Sequence, residues 1–264
     1  EIISRYKPDV IADLFKLLPE SIQPNVLAEL DPAIAGEVTE SMPSEQISDI
    51  VTEMDPADAA DVLGELDKSL SSQVIEQMDE DEADDVRRLL TYPDDSAGGI
   101  MTTDMIVMDG GQSVLEALDA IANYEDGKHV YQVSIVDENR ILRGIVTIWT
   151  LLRQHNRNLK LMDIMSTDFI VVRSDTDQEE VAHIMSKYSL SVLPVVDSQG
   201  VLVGRITHDN ALDVIQEEAE EDFFRMAGSN DEDLGNTSII KSCGIRLPWL
   251  AITLLGGVVT STLL

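Results

Sequence analysis

The feature that most constrains this chain is a period of twelve residues running from Pro19 to Leu90. Its six blocks begin at Pro19, Asp31, Pro43, Asp55, Asp67 and Asp79, and each ends in Leu or Met. Each carries Val or Ile at its eighth place: Val26, Val38, Ile50, Val62, Val74 and Val86. The openings DPAIAGEV and DPADAADV place Asp as N-cap and Pro at the first helical position, the usual start of a helix. At about 3.6 residues per turn, a unit of this size holds a helix of roughly two turns and a tight connection. Helices so short are unstable alone, so the region is expected to stack into an all-helical superhelix or solenoid.

A second kind of repetition occupies residues 98–219. MIVMDGGQSVLEALDAIANY leads to VYQVSIVDENRILRGIVTIWTLL, and DFIVVRSDTDQEEVAHIMSKY leads to SVLPVVDSQGVLVGRITHDNALDVI. The segments QVSIVD, LRGIVT, VLPVVD and LVGRIT are β-branched runs bounded by turn residues, hence strands. LEALDAIANY and EEVAHIMSKY carry apolar residues at helical spacing. A β-α-β-β-α unit occurring twice predicts two similar small domains packed as a pair. Residues 209–227 read as one amphipathic helix rich in carboxylates. From Leu247 to Leu264 the chain carries no charge, just after Lys241 and Arg246, which predicts the start of a membrane-spanning helix cut short by the end of the sequence.

Charge narrows the function classes. The formal net charge is −32, and residues 1–97 hold 25 Asp or Glu against 6 Lys or Arg. Such a chain repels nucleic acid and attracts cations. The single Cys243 excludes an internal disulfide and any zinc site built on several cysteines. No acid–base pair, nucleophile arrangement, P-loop or dinucleotide glycine pattern stands out, so an enzyme is not expected. Hydrophobic residues make up 44% of the chain, enough for packed cores despite the charge.

Asp95-Ser96-Ala97-Gly98-Gly99-Ile100-Met101-Thr102, the run from Ser174 to Ala182, and Val192-Leu193-Pro194-Val195-Val196-Asp197 resemble the intracellular part of MgtE-type magnesium transporters. The order of parts matches too: acidic helical repeats, two CBS domains (the β-α-β-β-α units), a connecting helix and a membrane span. The fold expected is therefore an all-α superhelical repeat domain over 1–97, a first CBS domain over 98–160 and a second over 161–208. A connecting or "plug" helix and linker follow over 209–242, then a truncated transmembrane helix over 243–264. The resemblance implies a homodimer through the CBS domains, in a cell (inner) membrane, with residues 1–242 cytoplasmic and a pore domain beyond Leu264. It implies that Mg²⁺ is both the transported ion and the regulator: bound ions bridge the N-domain, the CBS pair and the plug helix and favour the closed pore.

Carried over residue by residue, the resemblance implies metal ligands at Asp58 and Asp61, a backbone carbonyl at Gly99, and carboxylates at Asp177 and Glu179. On the connecting helix it implies Asn210, Asp213, Glu218, Glu221 and Asp222. Glu218 and Glu221 or Asp222 are three and four apart and share one helical face. Asn210 stands where the family commonly has Asp, and Ser189 where relatives have an acidic ligand. CBS domains that bind adenosine nucleotides usually hold the ribose with an Asp three residues after a Ser or Thr. Here Thr150 follows Thr147 and Asn210 follows Thr207, so ATP is not expected. Trp149 is expected in the core or at a dimer contact rather than on an adenine. Two other readings stay open: a nucleotide-sensing CBS module, and an adaptor whose solenoid groove holds a basic protein segment.

Overall fold

The computed structural model describes residues 8–30, 32–40, 42–124 and 130–227. Seven short helices come first: α1 (Pro8–Phe15), α2 (Gln23–Ala28), α3 (Pro32–Glu40), α4 (Ser44–Thr52), α5 (Pro56–Gly64), α6 (Lys68–Ile75) and α7 (Glu80–Leu89). The twelve-residue period is thus one helix per repeat. Val38, Ile50, Val62, Val74 and Val86 are buried, and Val26 in the first repeat is half-buried. Asp55 is an N-cap whose side chain accepts the Ala57 N–H, with Pro56 opening α5. Asp67 and Asp79 hold the same position without a side-chain cap bond.

The helices alternate between two rows. α1, α3, α5 and α7 stack in one, and α2, α4 and α6 in the other. Burial of the eighth-place residues between the rows supplies stability that two-turn helices lack, roughly 1.5–3 kcal/mol for each Val or Ile taken out of water.

Two α/β units follow. In the first, β1 (Val107–Asp109), α8 (Val114–Ala122), β2 (Gln132–Val136), β3 (Leu142–Thr147) and α9 (Ile148–Arg153) follow one another. The second has β4 (Val172–Arg173), α10 (Gln178–Tyr188), β5 (Val192–Val196), β6 (Leu202–Thr207) and α11 (His208–Ala227). Each forms a three-stranded sheet, its first strand parallel and its third antiparallel to the middle one. β5 is buried along its whole length, which accounts for its unbroken apolar run.

The two units are tied by matching contacts. Asp137 Oδ1 accepts the N–H groups of Asn139 and Ile141, and Asp197 Oδ1 those of Gln199 and Val201, shaping two like hairpin turns. These turns meet: Leu142 donates its N–H to Gly200 O at 3.3 Å, and Leu202 to Arg140 O at 3.0 Å. The leading segments also cross over. Ser166, which precedes the second unit, pairs with Ile145 of β3, and Thr102, which precedes the first, pairs with Arg205 of β6. Each crossing passes over a glycine in the strand. A Cβ at Gly144 would lie 2.7 Å from Met165 Sδ, and one at Gly204 2.5 Å from Met101 Sδ. Glycine lets the crossing segment approach closely.

The chain divides into two compact units, Glu1–Leu212 and Asp213–Leu264, with α11 running across the division. That helix begins one residue before the expected position. Among the described residues no helix is long and apolar enough to cross a membrane, and the span expected over 243–264 lies outside them.

Candidate functional site

The junction between the helical rows and the α/β pair is held by backbone. After α7, Ala97 donates its N–H to Thr176 O at 2.6 Å and Gly98 to Ser174 O at 2.9 Å. Gln178 in turn donates to Asp95 O at 2.9 Å, and Ser96 bridges Asp177. The Asp95–Gly99 turn is thereby zipped to the loop that opens α10. Both glycines are there for space: a Cβ on Gly98 would lie 2.5 Å from the Tyr92 ring, and one on Gly99 2.5 Å from the Pro93 and Asp94 carbonyl oxygens. Two predicted residues, Gly99 and Asp177, therefore fall on the two paired segments. Asp177 N-caps α10 through the Glu179 N–H at 2.9 Å, and both carboxylates are exposed.

A polar knot lies beside this junction. Thr102 donates its hydroxyl to Asp55 Oδ2 at 3.2 Å, and Thr103 donates to Asp85 Oδ2 at 3.0 Å. Arg205, only 7% exposed, donates Nε to Asp104 O at 2.6 Å. The Tyr124 hydroxyl bonds the Asp104 carboxylate. Asp55 keeps an open edge, yet burial of its carboxyl pushes its pKa above the ordinary value, opposed by the Ala57 and Thr102 hydrogen bonds. The nearby Asp104 charge raises it further and Arg205 draws it down.

These residues were not among those predicted. Asp55 was legible only as a helix start, and nothing local distinguishes Arg205 from any strand arginine.

The sign of the Asp55 effect can be tested. A carboxyl with its folded pKa above its unfolded one binds its proton more tightly when folded, so stability falls as pH rises from the ordinary carboxylate value through the folded pKa. Asn at this position keeps the cap acceptor and has no charge. Asp55→Asn is expected to be at least as stable as the parent at neutral pH and to lose this part of the slope. Thermal melts from pH 3 to 7 measure it; an unchanged slope would show that Asp55 is not its source.

The remaining predicted positions are dispersed. Asp58, half-buried, and Asp61, exposed, lie one turn apart on α5. Asn210 Oδ1 accepts from the Thr207 N–H at 3.1 Å and its hydroxyl at 2.6 Å, so this oxygen closes the start of α11. At the matching place in the first unit the Thr150 hydroxyl lies 3.0 Å from Thr147 Oγ1, and the Thr150 N–H donates to that oxygen at 3.2 Å. Asp213 is exposed and Glu218 half-buried on α11; Glu221 and Asp222 belong to the same helix, their side chains outside the description. Ser189 ends α10 in the left-handed conformation at φ 52°. Trp149 is 73% exposed on α9, so of the two expected places the core is excluded and the dimer contact is left. Among the described residues no three His, Cys, Asp or Glu side chains converge on a point that would hold a metal.

The architecture has known counterparts. The family described as the MgtE intracellular N domain matches residues 1–95, and the CBS domain family matches 97–156 and 161–217. The solved cytosolic domain of the Mg²⁺ channel MgtE in complex with ATP superposes with a TM-score of 0.72 at 32% identity, covering 80% of this chain and 86% of that one. The chain belongs to the MgtE family. The magnesium transporter MgtE of Thermus thermophilus is 37% identical over 182 residues, which is 68% of this chain and 40% of that protein. The soluble part of a magnesium transporter gives a TM-score of 0.65 at 26% identity, over 82% of this chain and 90% of that one. The chain spans about two fifths of the length of the transporters it matches.

Proposed function

We propose that this chain is the cytosolic Mg²⁺-sensing and gating region of a membrane Mg²⁺ channel or transporter, a regulatory rather than a catalytic element. The observation that carries the reading is the junction. Asp55 and Asp85 of the helical rows bond to the threonines that lead into the CBS pair, and the Asp95–Gly99 turn is zipped to α10. Movement of the acidic rows is thereby mechanically coupled to the α/β pair. A net charge of −32 opposes such docking, and a divalent cation relieves the repulsion.

The donor set suits the ion. Mg²⁺ prefers oxygen, keeps several waters and meets one or two carboxylates directly, so dispersed acids fit it better than they would fit a dehydrated ion in a closed cage. Asp58, Asp61, Gly99, Asp177, Glu179, Asn210, Asp213, Glu218, Glu221 and Asp222 are the proposed ligands. Asn210 is the weakest of them, being uncharged and committed to Thr207. Ion loss frees the acidic rows and opens a pore domain carried by the rest of the protein. A homodimer through the CBS domains fits the exposed Trp149 and Leu152, three apart on α9. ATP has no place in this reading. One solved relative holds it, but both ribose positions here lack the Asp, and Asn210 and Thr150 are turned to their own helix starts.

Small-angle scattering of residues 1–242 tests the proposal. Millimolar Mg²⁺ is expected to reduce the radius of gyration, and KCl of equal ionic strength is not. Replacing Glu218, Glu221 and Asp222 together by Ala should weaken that response. Equal compaction in both salts would leave the acids as an ordinary solvated surface.

A further inference from the structure

The row formed by α2, α4 and α6 carries a groove of about 690 Å³ that the junction does not use. Its lining comes from the turn before α2, from α2 and α4, and from the connection between α6 and α7. Glu20, Asp49, Glu53 and Asp79 are its exposed carboxylates, and no Lys or Arg lines it.

The groove's buried wall is polar as well. Gln23 and Ser48 both line it, and each is only 4% exposed. Gln23 Nε2 donates to Leu18 O at 3.0 Å, while its Oε1 and the Ser48 hydroxyl have no partner among the described residues. No side-chain oxygen sealed from solvent lacks a partner there, so these two open onto the groove. Both residues are otherwise enclosed, so these oxygens are acceptors available to donors of a ligand that enters the groove.

We propose that this groove docks a basic protein segment presenting at least two Lys or Arg side chains. Ammonium and guanidinium groups carry donors only, matching a surface of carboxylates and unpaired oxygens. The carboxylates are spread along the groove rather than convergent, a layout that matches an extended segment carrying several cationic side chains. The volume falls in the range that holds several side chains, roughly 300–1,000 Å³. Asp49 and Glu53 are four apart on α4 and so stand one turn above the other, a spacing that meets successive basic side chains of a bound segment.

The test uses the whole 264-residue chain and fluorescence anisotropy at 150 mM KCl. The probes are a labelled Lys-Ala-Ala-Lys repeat peptide and its Glu counterpart. The Lys peptide should bind and the Glu peptide should not. Asp49→Asn with Glu53→Gln is expected to weaken binding about threefold to tenfold, the range for losing two solvent-exposed ion pairs. Glu138→Gln with Asp168→Asn removes the same charge from exposed loops and should leave affinity unchanged. Ser48→Val, which fills the hydroxyl's place with carbon, should weaken binding with both carboxylates intact. Equal weakening by the two double variants would reduce the effect to net charge and overturn the proposal. So would absence of Lys-peptide binding, or a calorimetric MgCl₂ signal lost only in the groove variant with no peptide bound.

Discussion

Gly99→Ala is expected to lower stability by about 2–3 kcal/mol, the range of overpacking a closed site. The added methyl would lie 2.5 Å from two backbone oxygens, those of Pro93 and Asp94, and 2.8 Å from Asp94 Cα. None of these atoms is at the end of a flexible side chain, so relief requires the turn itself to open. The turn is held by the Gly99 N–H on Ser96 O at 2.9 Å and by the Ala97 and Gly98 bonds to the loop before α10. The cost therefore falls on the segment that couples the acidic helices to the CBS pair. A melting temperature lower by roughly 5–10 °C is expected for a chain of this size. Gly64→Ala is the control. Its Cβ would meet one atom, Leu90 Cδ2 at an ordinary 3.7 Å, and alanine is the better helix former. That variant should match or exceed the parent by up to about 1 kcal/mol. A Gly99→Ala protein melting with the parent would refute the packed junction.

Arg205→Ala has the second large effect, about 2–3 kcal/mol, because it removes a buried guanidinium together with its charge-assisted hydrogen bond to the Asp104 carbonyl. Arg205 Nε bonds the Asp104 carbonyl, and its charge draws down the pKa of Asp55, which the Asp104 charge raises. Without the guanidinium the two carboxylates repel in a site partly withdrawn from water. Asp55 then holds its proton to higher pH in the folded state. Stability of the variant should accordingly fall more steeply than that of the parent as pH rises above the ordinary carboxylate range. The deficit is expected to be largest near neutrality and smaller in acid, where the Asp55 carboxyl takes up its proton. Arg205→Lys keeps the charge but loses the planar fork and should fall between. Urea denaturation of the three proteins at pH 4.5 and 7.5 measures both the size and the sign. A deficit independent of pH would mean that Arg205 acts through packing alone.

The helical rows were legible because each helix is specified within its own twelve residues. The Asp-Pro start of α5, the buried Val62 and the closing Leu66 lie within one repeat, and capping and burial act over that distance. The same holds for β2, β3, β5 and β6, whose β-branched runs are bounded by their own turns. The candidate site was legible only in part. Gly99 and Asp177 fell on the zipped segments, whereas the carboxylates on α5 and α11 were found by likeness to relatives, with no local signal separating ligands from solvated acids. For Trp149 the choice between core and dimer contact stayed open in the sequence, because an apolar residue at helical spacing does not say whether its face turns inward.

Sequence alone determined the local units: the period, the helix starts, the twofold recurrence of the α/β unit and the cationic preference that a charge of −32 imposes. Tertiary structure decided which units touch. Thr102 pairs with Arg205, Asp55 reaches Thr102, and the α2, α4 and α6 row encloses a groove apart from the junction. Those contacts join residues far apart along the chain. Their formation depends on chain closure and on the packing of whole elements, which no window of neighbouring residues encodes.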